Sequence, residues 1–175
     1  MRRIAIVLLC ALALSGCFQT TTPLFGTKDA VYPIASGTHY VQYMLNKGSW
    51  KEQARGTITL DHGWYVARSK DDNDTIRFLL KQWGKNYLAV AQDEDNDKQP
   101  TYLYGVMRPA NGAFYEYGPQ CRDFDPHALQ KRGIVTLKPR DEENCAPVSV
   151  DALQTIMQMV LDSSAKPDEK YVLLK

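Results

Sequence analysis

The chain has 175 residues, 44% of them apolar and 23% charged, with 21 basic and 20 acidic side chains and a formal net charge of +1. That length supports one domain with a real core. The near-even charge gives no long-range pull on nucleic acid, which removes that class of partner from consideration.

At the start, Arg2 and Arg3 precede an apolar run from Ile4 to Leu14. The run is about half of the ~20 residues a helix needs to cross a bilayer, and no later run approaches that length. A basic start, a short apolar middle and small residues at its end mark a secretory signal. The end reads Leu14-Ser15-Gly16-Cys17, and this stretch resembles the lipobox of bacterial lipoproteins. The resemblance covers residues 1–17 and implies that residues 1–16 are removed. It also implies that Cys17 takes a diacylglyceryl thioether and becomes the first residue of the mature chain. Each buried methylene of such an anchor contributes ~0.8 kcal/mol, so two or three acyl chains hold almost permanently. By the same resemblance Phe18, which is not the aspartate of inner-membrane retention, directs the protein to the periplasmic face of the outer membrane. The implied partner is then a membrane, reached through the lipid.

Removal of the first 16 residues leaves 159 and takes Arg2, Arg3 and Cys10 away. Of the remaining cysteines, Cys17 is the lipid site. Cys121 and Cys145 form an even pair in an exported domain and are expected to be disulfide-bonded. A metal site from Cys121, His127 and Cys145 would lack a fourth ligand and the close cysteine spacing that zinc sites use.

Residues 17–36, from the lipidated cysteine through "FQTTTPLFGTKDAVYPIAS", hold Thr, Pro and Gly without a sustained period and read as a tether. A flexible chain of that length spans on the order of 25 Å. The folded domain is expected over 37–175. Its first part alternates with period two: "THYVQYML", "GTITL", "WYVARS", "TIRFLLKQW", "YLAVAQ", "TYLYGVMR" and "AFYEYG". Asp61-His62-Gly63, Gly84-Lys85-Asn86 and Asn111-Gly112 punctuate these runs, as antiparallel hairpins require. Seven strands in an up-and-down meander follow. After Gly118 the pattern changes. Asp125 before Pro126 starts a short helix over 126–132 that Gly133 stops, and Ile134 to Leu137 reads as a strand. Ser149 caps a helix over 150–161 whose Val150, Leu153, Ile156, Met157, Val160 and Leu161 make one apolar stripe. "KYVLLK" is a closing strand. A meander must pair or cover its edges, so the expected fold is mainly β with a C-terminal helix: a strongly bent sheet or small barrel closed by the last strand.

No catalytic set stands out. The chain lacks G-x-S-x-G and H-E-x-x-H. Ser163-Ser164-Ala165-Lys166 has S-x-x-K spacing but runs into Pro167 at a helix end. His39, His62 and His127 could titrate, yet no partner is evident for any of them. Asp93, Asp95 and Asp97 alternate like calcium ligands, but Lys98 and Tyr104 stand where an EF-hand loop needs Gly and Glu. No metal and no cofactor is therefore expected. Asp71-Asp72-Asn73-Asp74 is a second acidic turn. Trp64, Trp83, Tyr87, Tyr102, Tyr104, Tyr115 and Tyr117 are either core or a ligand and partner surface, and alternation alone does not tell which aromatic face points inward.

These readings converge on a lipid-anchored envelope protein acting as a non-enzymatic binding or assembly module for a protein partner or an apolar ligand. The alternatives are a hydrolase or transferase working on wall or lipid, with carboxylates or His62 or His127 as acid and base, and a periplasmic inhibitor of a wall-degrading enzyme using a loop at 93–100. Two titratable side chains facing each other in a pocket would favour the enzyme.

Overall fold

A computed structural model describes residues 18–70, 74–93, 99–138 and 141–174. A short strand β1 (Gln19–Thr20) precedes the meander β2 (Thr38–Asn46), β3 (Ser49–Asp61), β4 (Trp64–Ser69), β5 (Thr75–Trp83), β6 (Asn86–Asp93), β7 (Thr101–Ala110) and β8 (Ala113–Tyr117). A 3-10 turn at Cys121–Asp123 and helix α1 (Pro126–Lys131) follow. The hairpin β9 (Val135–Lys138) and β10 (Asp141–Pro147), helix α2 (Val150–Asp162) and strand β11 (Glu169–Leu174) complete the chain.

The meander closes on itself. Each of β2 to β8 pairs antiparallel with the next, and β11 inserts between β8 and β2. Eight strands make the ring, and β1 adds a ninth by pairing with the start of β7. Closure removes the exposed edges that an open meander would leave. The turns that reverse the chain need backbone in the left-handed region, which two-residue hairpin loops demand. Lys47-Gly48, His62-Gly63 and Asn111-Gly112 supply it with positive φ at both residues.

An eight-stranded barrel is just wide enough for side chains to fill. Ile58, Tyr65, Leu80, Ala89, Met107 and Phe114 line the interior. Tyr40 lies over its register partner Gly56 on the adjacent strand, where a Cβ would fall 2.7 Å from the tyrosine ring and 2.2 Å from the Arg68 carbonyl. The outer wall of β5 to β7 is also apolar. There Leu79, Leu88, Val90, Tyr104 and Val106 pack under Leu153 and Met157 of α2. Ser149 caps that helix by accepting from Ala152 N at 3.1 Å. A third cluster surrounds the Cys121–Cys145 disulfide, whose Cα atoms are 5.5 Å apart. The pairing confirms the bridge expected from the cysteine count. Closing a loop of 24 residues stabilises by ~3 kcal/mol in the chain-entropy picture. The double serine variant should lose stability of that order in a urea titration, and an unchanged midpoint would contradict it.

The segment read as a tether is part of the fold. Phe18, Phe25 and Ile34 are buried at 0%, 3% and 4% exposure. Phe18 joins the disulfide cluster, Phe25 packs beneath α2, and Ile34 enters the barrel end. Thr, Pro and Gly do leave this stretch without regular structure, but its widely spaced apolar residues each find a separate part of the core. Val31 N donates to the Leu80 carbonyl at 2.8 Å, while the Tyr65 hydroxyl accepts from Ile34 N and donates to Ile34 O, both at 2.9 Å. Residues 31–34 thus close the barrel end at which β3–β4 and β5–β6 turn. Tyr65→Phe would strand both Ile34 groups, and we expect a loss of about 1–3 kcal/mol, read by chemical denaturation; a loss near zero would mean the plug is held otherwise.

Candidate functional site

Two places outside ordinary core packing bring functional side chains together. The first is on the barrel's outer wall, where β8, β11, β2 and β3 run side by side. Lys170 of β11 is in register with Tyr43 on one side and Tyr115 on the other. Its ammonium lies 4.5 Å from the Tyr43 ring centre and 5.1 Å from that of Trp50. Trp50 and Tyr115 meet edge to face at 6.0 Å. The four side chains are half-buried, and exposed Arg108 lies across from Tyr115. Among the described residues Lys170 and Arg108 make no ion pair.

A bulge creates this wall. The β2–β3 register slips between Gln42 and Tyr43. Ala54, Gly56 and Ile58 face the barrel interior, and Trp50 has their parity. One extra residue on β3 flips Trp50 to the outside, as any one-residue slip must.

The second place is inside the barrel, toward the end opposite the plug. Glu116 of β8 and Glu169 of β11 are direct register partners. The Tyr171 hydroxyl donates to Glu169 Oε2, and Gln42 Nε2 donates to the same oxygen at 2.7 Å. Burial, and then the neighbouring Glu169 charge, push the Glu116 carboxyl up to about 8. Burial likewise pushes the Tyr171 phenol well above its ordinary range. At neutral pH Glu116 therefore carries its proton. Nearby, the Asp168 carboxylate accepts from Gly118 N at 2.8 Å and is raised, first by burial.

The aromatic residues singled out in the sequence do not form one surface. Trp64, Trp83, Tyr102 and Tyr117 pack against the cluster beneath α2. Tyr104 is buried there, its hydroxyl 2.7 Å from Thr20 Oγ1 and accepting from Leu24 N at 2.9 Å. Tyr87 faces into the barrel, with its ring 6.0 Å from Phe114. Only Tyr115 belongs to the lysine-centred wall. Tyr43, Trp50 and Lys170 were missed because the bulge leaves no mark in local alternation and the insertion of β11 between β8 and β2 joins residues distant in sequence.

No protein-family model matches the chain, no curated protein matches its sequence, and no solved structure matches its fold. The site must therefore be read from its own geometry. Among the described residues no group of three or more His, Cys, Asp and Glu is placed to hold a metal ion. Asp93 ends β6 opposite Thr101, while Asp95 and Asp97 lie outside the described residues, as do Asp71, Asp72 and Cys17. Among the described residues no helix is long and apolar enough to cross a membrane. Asp61 is paired with His62 Nδ1 at 2.6 Å and Arg77 at 3.2 Å on an exposed turn. Hydrogen bonding to His62, partly offset by desolvation and helped by the nearby charges and the Arg77 hydrogen bond, holds its carboxyl below the usual range. Two surface grooves flank α2. One of about 480 Å³ runs along Trp83, Asp151, Gln158 and Asp162. The other, about 360 Å³, lies between Tyr117, Arg122, Phe124 and Lys166. Glu116 and Glu169 line neither.

Proposed function

We propose that this chain is a lipid-anchored protein of the cell envelope, on the periplasmic side of the outer membrane, acting as a non-enzymatic binding or assembly module. Its docking surface for a protein partner is the wall of Tyr43, Trp50, Tyr115 and Lys170. The observation that carries this reading is a cation held between half-exposed Tyr and Trp rings on a wall that α2 leaves bare. Aromatic residues are enriched in protein interfaces and dominate their binding energy. A large ring in such a position adds contact area at little cost in conformational entropy.

Photocrosslinking in intact cells tests it. A photoreactive residue at Tyr115 or Tyr43 should give one discrete protein adduct, and the same residue at Lys85, in the β5–β6 turn, should give none. Trp50→Ala combined with Lys170→Ala should abolish the adduct formed from position 115 while leaving the fold intact. No adduct from the wall, or equal adducts from position 85, would contradict the proposal.

The facing carboxyls Glu116 and Glu169 favour a second reading, a hydrolase or transferase for wall or lipid that works with a carboxyl pair. Against it, Glu169 is held by Tyr171 and Gln42, Glu116 by Tyr171, and neither carboxyl lines either groove. Loss of a measurable wall or lipid turnover in Glu116→Gln, with stability retained, would move the assignment there.

A further inference from the structure

Phe18 follows Cys17 directly and has no exposed surface. Its ring meets Phe124 edge to face at 5.6 Å and packs with Leu129, Val135 and Ile156 around the disulfide. Its carbonyl accepts from Tyr104 N at 3.2 Å, it bridges in parallel to Cys145, and the next two residues pair with β7. The chain is therefore fixed in the core from its first described residue. Successive Cα atoms are about 3.8 Å apart, so no slack separates the anchoring residue from the folded body.

We infer that the domain lies directly against the bilayer that holds its anchor, on the side built from the disulfide-bonded segment, with no tether between them. This rests on the lipid anchoring proposed above and adds to it a distance and an orientation. The elements around Phe18 are the 3-10 turn, α1 and the β9–β10 hairpin. Their surface presents exposed Arg122, Lys131 and Arg132, and Val148, just after β10, is 50% exposed. Basic side chains beside an apolar one suit the phosphate level of a lipid surface. Two acidic residues of the same segment are engaged with backbone: Asp123 Oδ2 accepts from Gln120 N at 2.7 Å and Asp125 Oδ1 from Ala128 N at 3.1 Å, while Asp141, Glu142 and Glu143 of β10 add carboxylates whose side chains lie outside the described ones. β3 is four strands from β7 either way round the eight-stranded ring, so Lys47 and the Trp50 edge of the docking wall lie on the opposite side of the barrel from Phe18.

The test uses the acylated full-length protein in vesicles of phosphatidylethanolamine and phosphatidylglycerol, treated with a water-soluble amine-reactive reagent and mapped by mass spectrometry. Lys131 in α1 and Lys47 in the β2–β3 turn are both exposed. The comparison is a variant with about ten Gly and Ser residues inserted between Cys17 and Phe18, which adds roughly 17 Å of reach. Lys131 should label several-fold more slowly in the parent than in the insertion variant, whereas Lys47 should label equally in both. Equal Lys131 rates in the two proteins, with acyl chains confirmed on Cys17 by mass, would overturn the contact and leave the anchoring intact. A protein without acyl mass would overturn the anchoring, and the contact with it.

Discussion

Phe18→Ala should destabilise the domain by about 3–5 kcal/mol, the range for truncating a buried aromatic side chain. For a domain of this size that is a fall in Tm of roughly 10 °C. The expectation follows from the ring's position in the disulfide cluster against Phe124, Leu129 and Ile156, with no surface exposed. The neighbours are held by a covalent bridge and by α2, so they cannot collapse freely into the space left behind. A flexible tether would tolerate the same change without effect. Thermal unfolding of the parent and the variant separates the two cases, and a difference within about 0.5 kcal/mol, typical of a surface substitution, would return residues 18–36 to the status of a linker.

Stability should also fall as pH rises from about 5 to about 8, and Glu116→Gln should abolish most of the fall. Glu116 binds its proton in the fold up to about 8, against an ordinary value of 4.5. Between those values the folded state holds more protons than the unfolded one. Linkage then makes stability decrease with pH: the contribution is fully present below the ordinary carboxylate range and is lost as pH passes through about 8. Each tenfold difference in proton affinity between the folded and unfolded chain is worth about 1.4 kcal/mol, and the fall across this window is on the order of 3 kcal/mol. The groups around Glu116 reinforce the sign. Glu169 and Tyr171 face it from β11, Gln42 lies beyond them on β2, and the β7 wall offers only Gly105 and Met107. No cation among them can neutralise a second charge. Asp168, raised as well, adds a slope of the same sign. The lowered carboxyls Asp29, Glu52 and Asp61 oppose it, but only at pH below the ordinary carboxylate range. Urea midpoints at several pH values read the slope directly. Glu116→Gln should be flatter and more stable than the parent at pH near 8. A parent whose stability is flat or rising over this window, or a variant with the parent's slope, would rule out a protonated Glu116 in the fold.

Much of the architecture was legible because it is written in local signals. Alternation and the D-H-G, G-K-N and N-G turns mark all seven meander strands. Asp125-Pro126 and Ser149 mark both helices, and "KYVLLK" contains most of β11. The parts that were not legible depend on contacts distant in sequence. β10 holds Asp141-Glu142-Glu143-Asn144, too polar to signal a strand, and pairs with β9 beside the disulfide. Phe18, Phe25 and Ile34 are isolated among polar and turn residues, so no period announces that each is core. Alternation in "AFYEYG" separates Tyr115 and Tyr117 from Phe114 and Glu116 but does not orient the pair. The intuitive choice puts the tyrosines inside. In the barrel the tyrosines face outward, Tyr117 under α2, while Glu116 faces in and is accommodated by the Tyr171 and Gln42 network.

Both proposals for this protein begin from the chemistry at its seventeenth residue, and the intact mass of the native protein extracted from cell membranes reads that chemistry without an intermediate step. The expected species begins at Cys17 and carries the mass of a diacylglyceryl group, with or without a further acyl chain on the new amino terminus. A chain that keeps Met1 and shows no added lipid mass would remove the anchor, and with it the membrane contact and the envelope location.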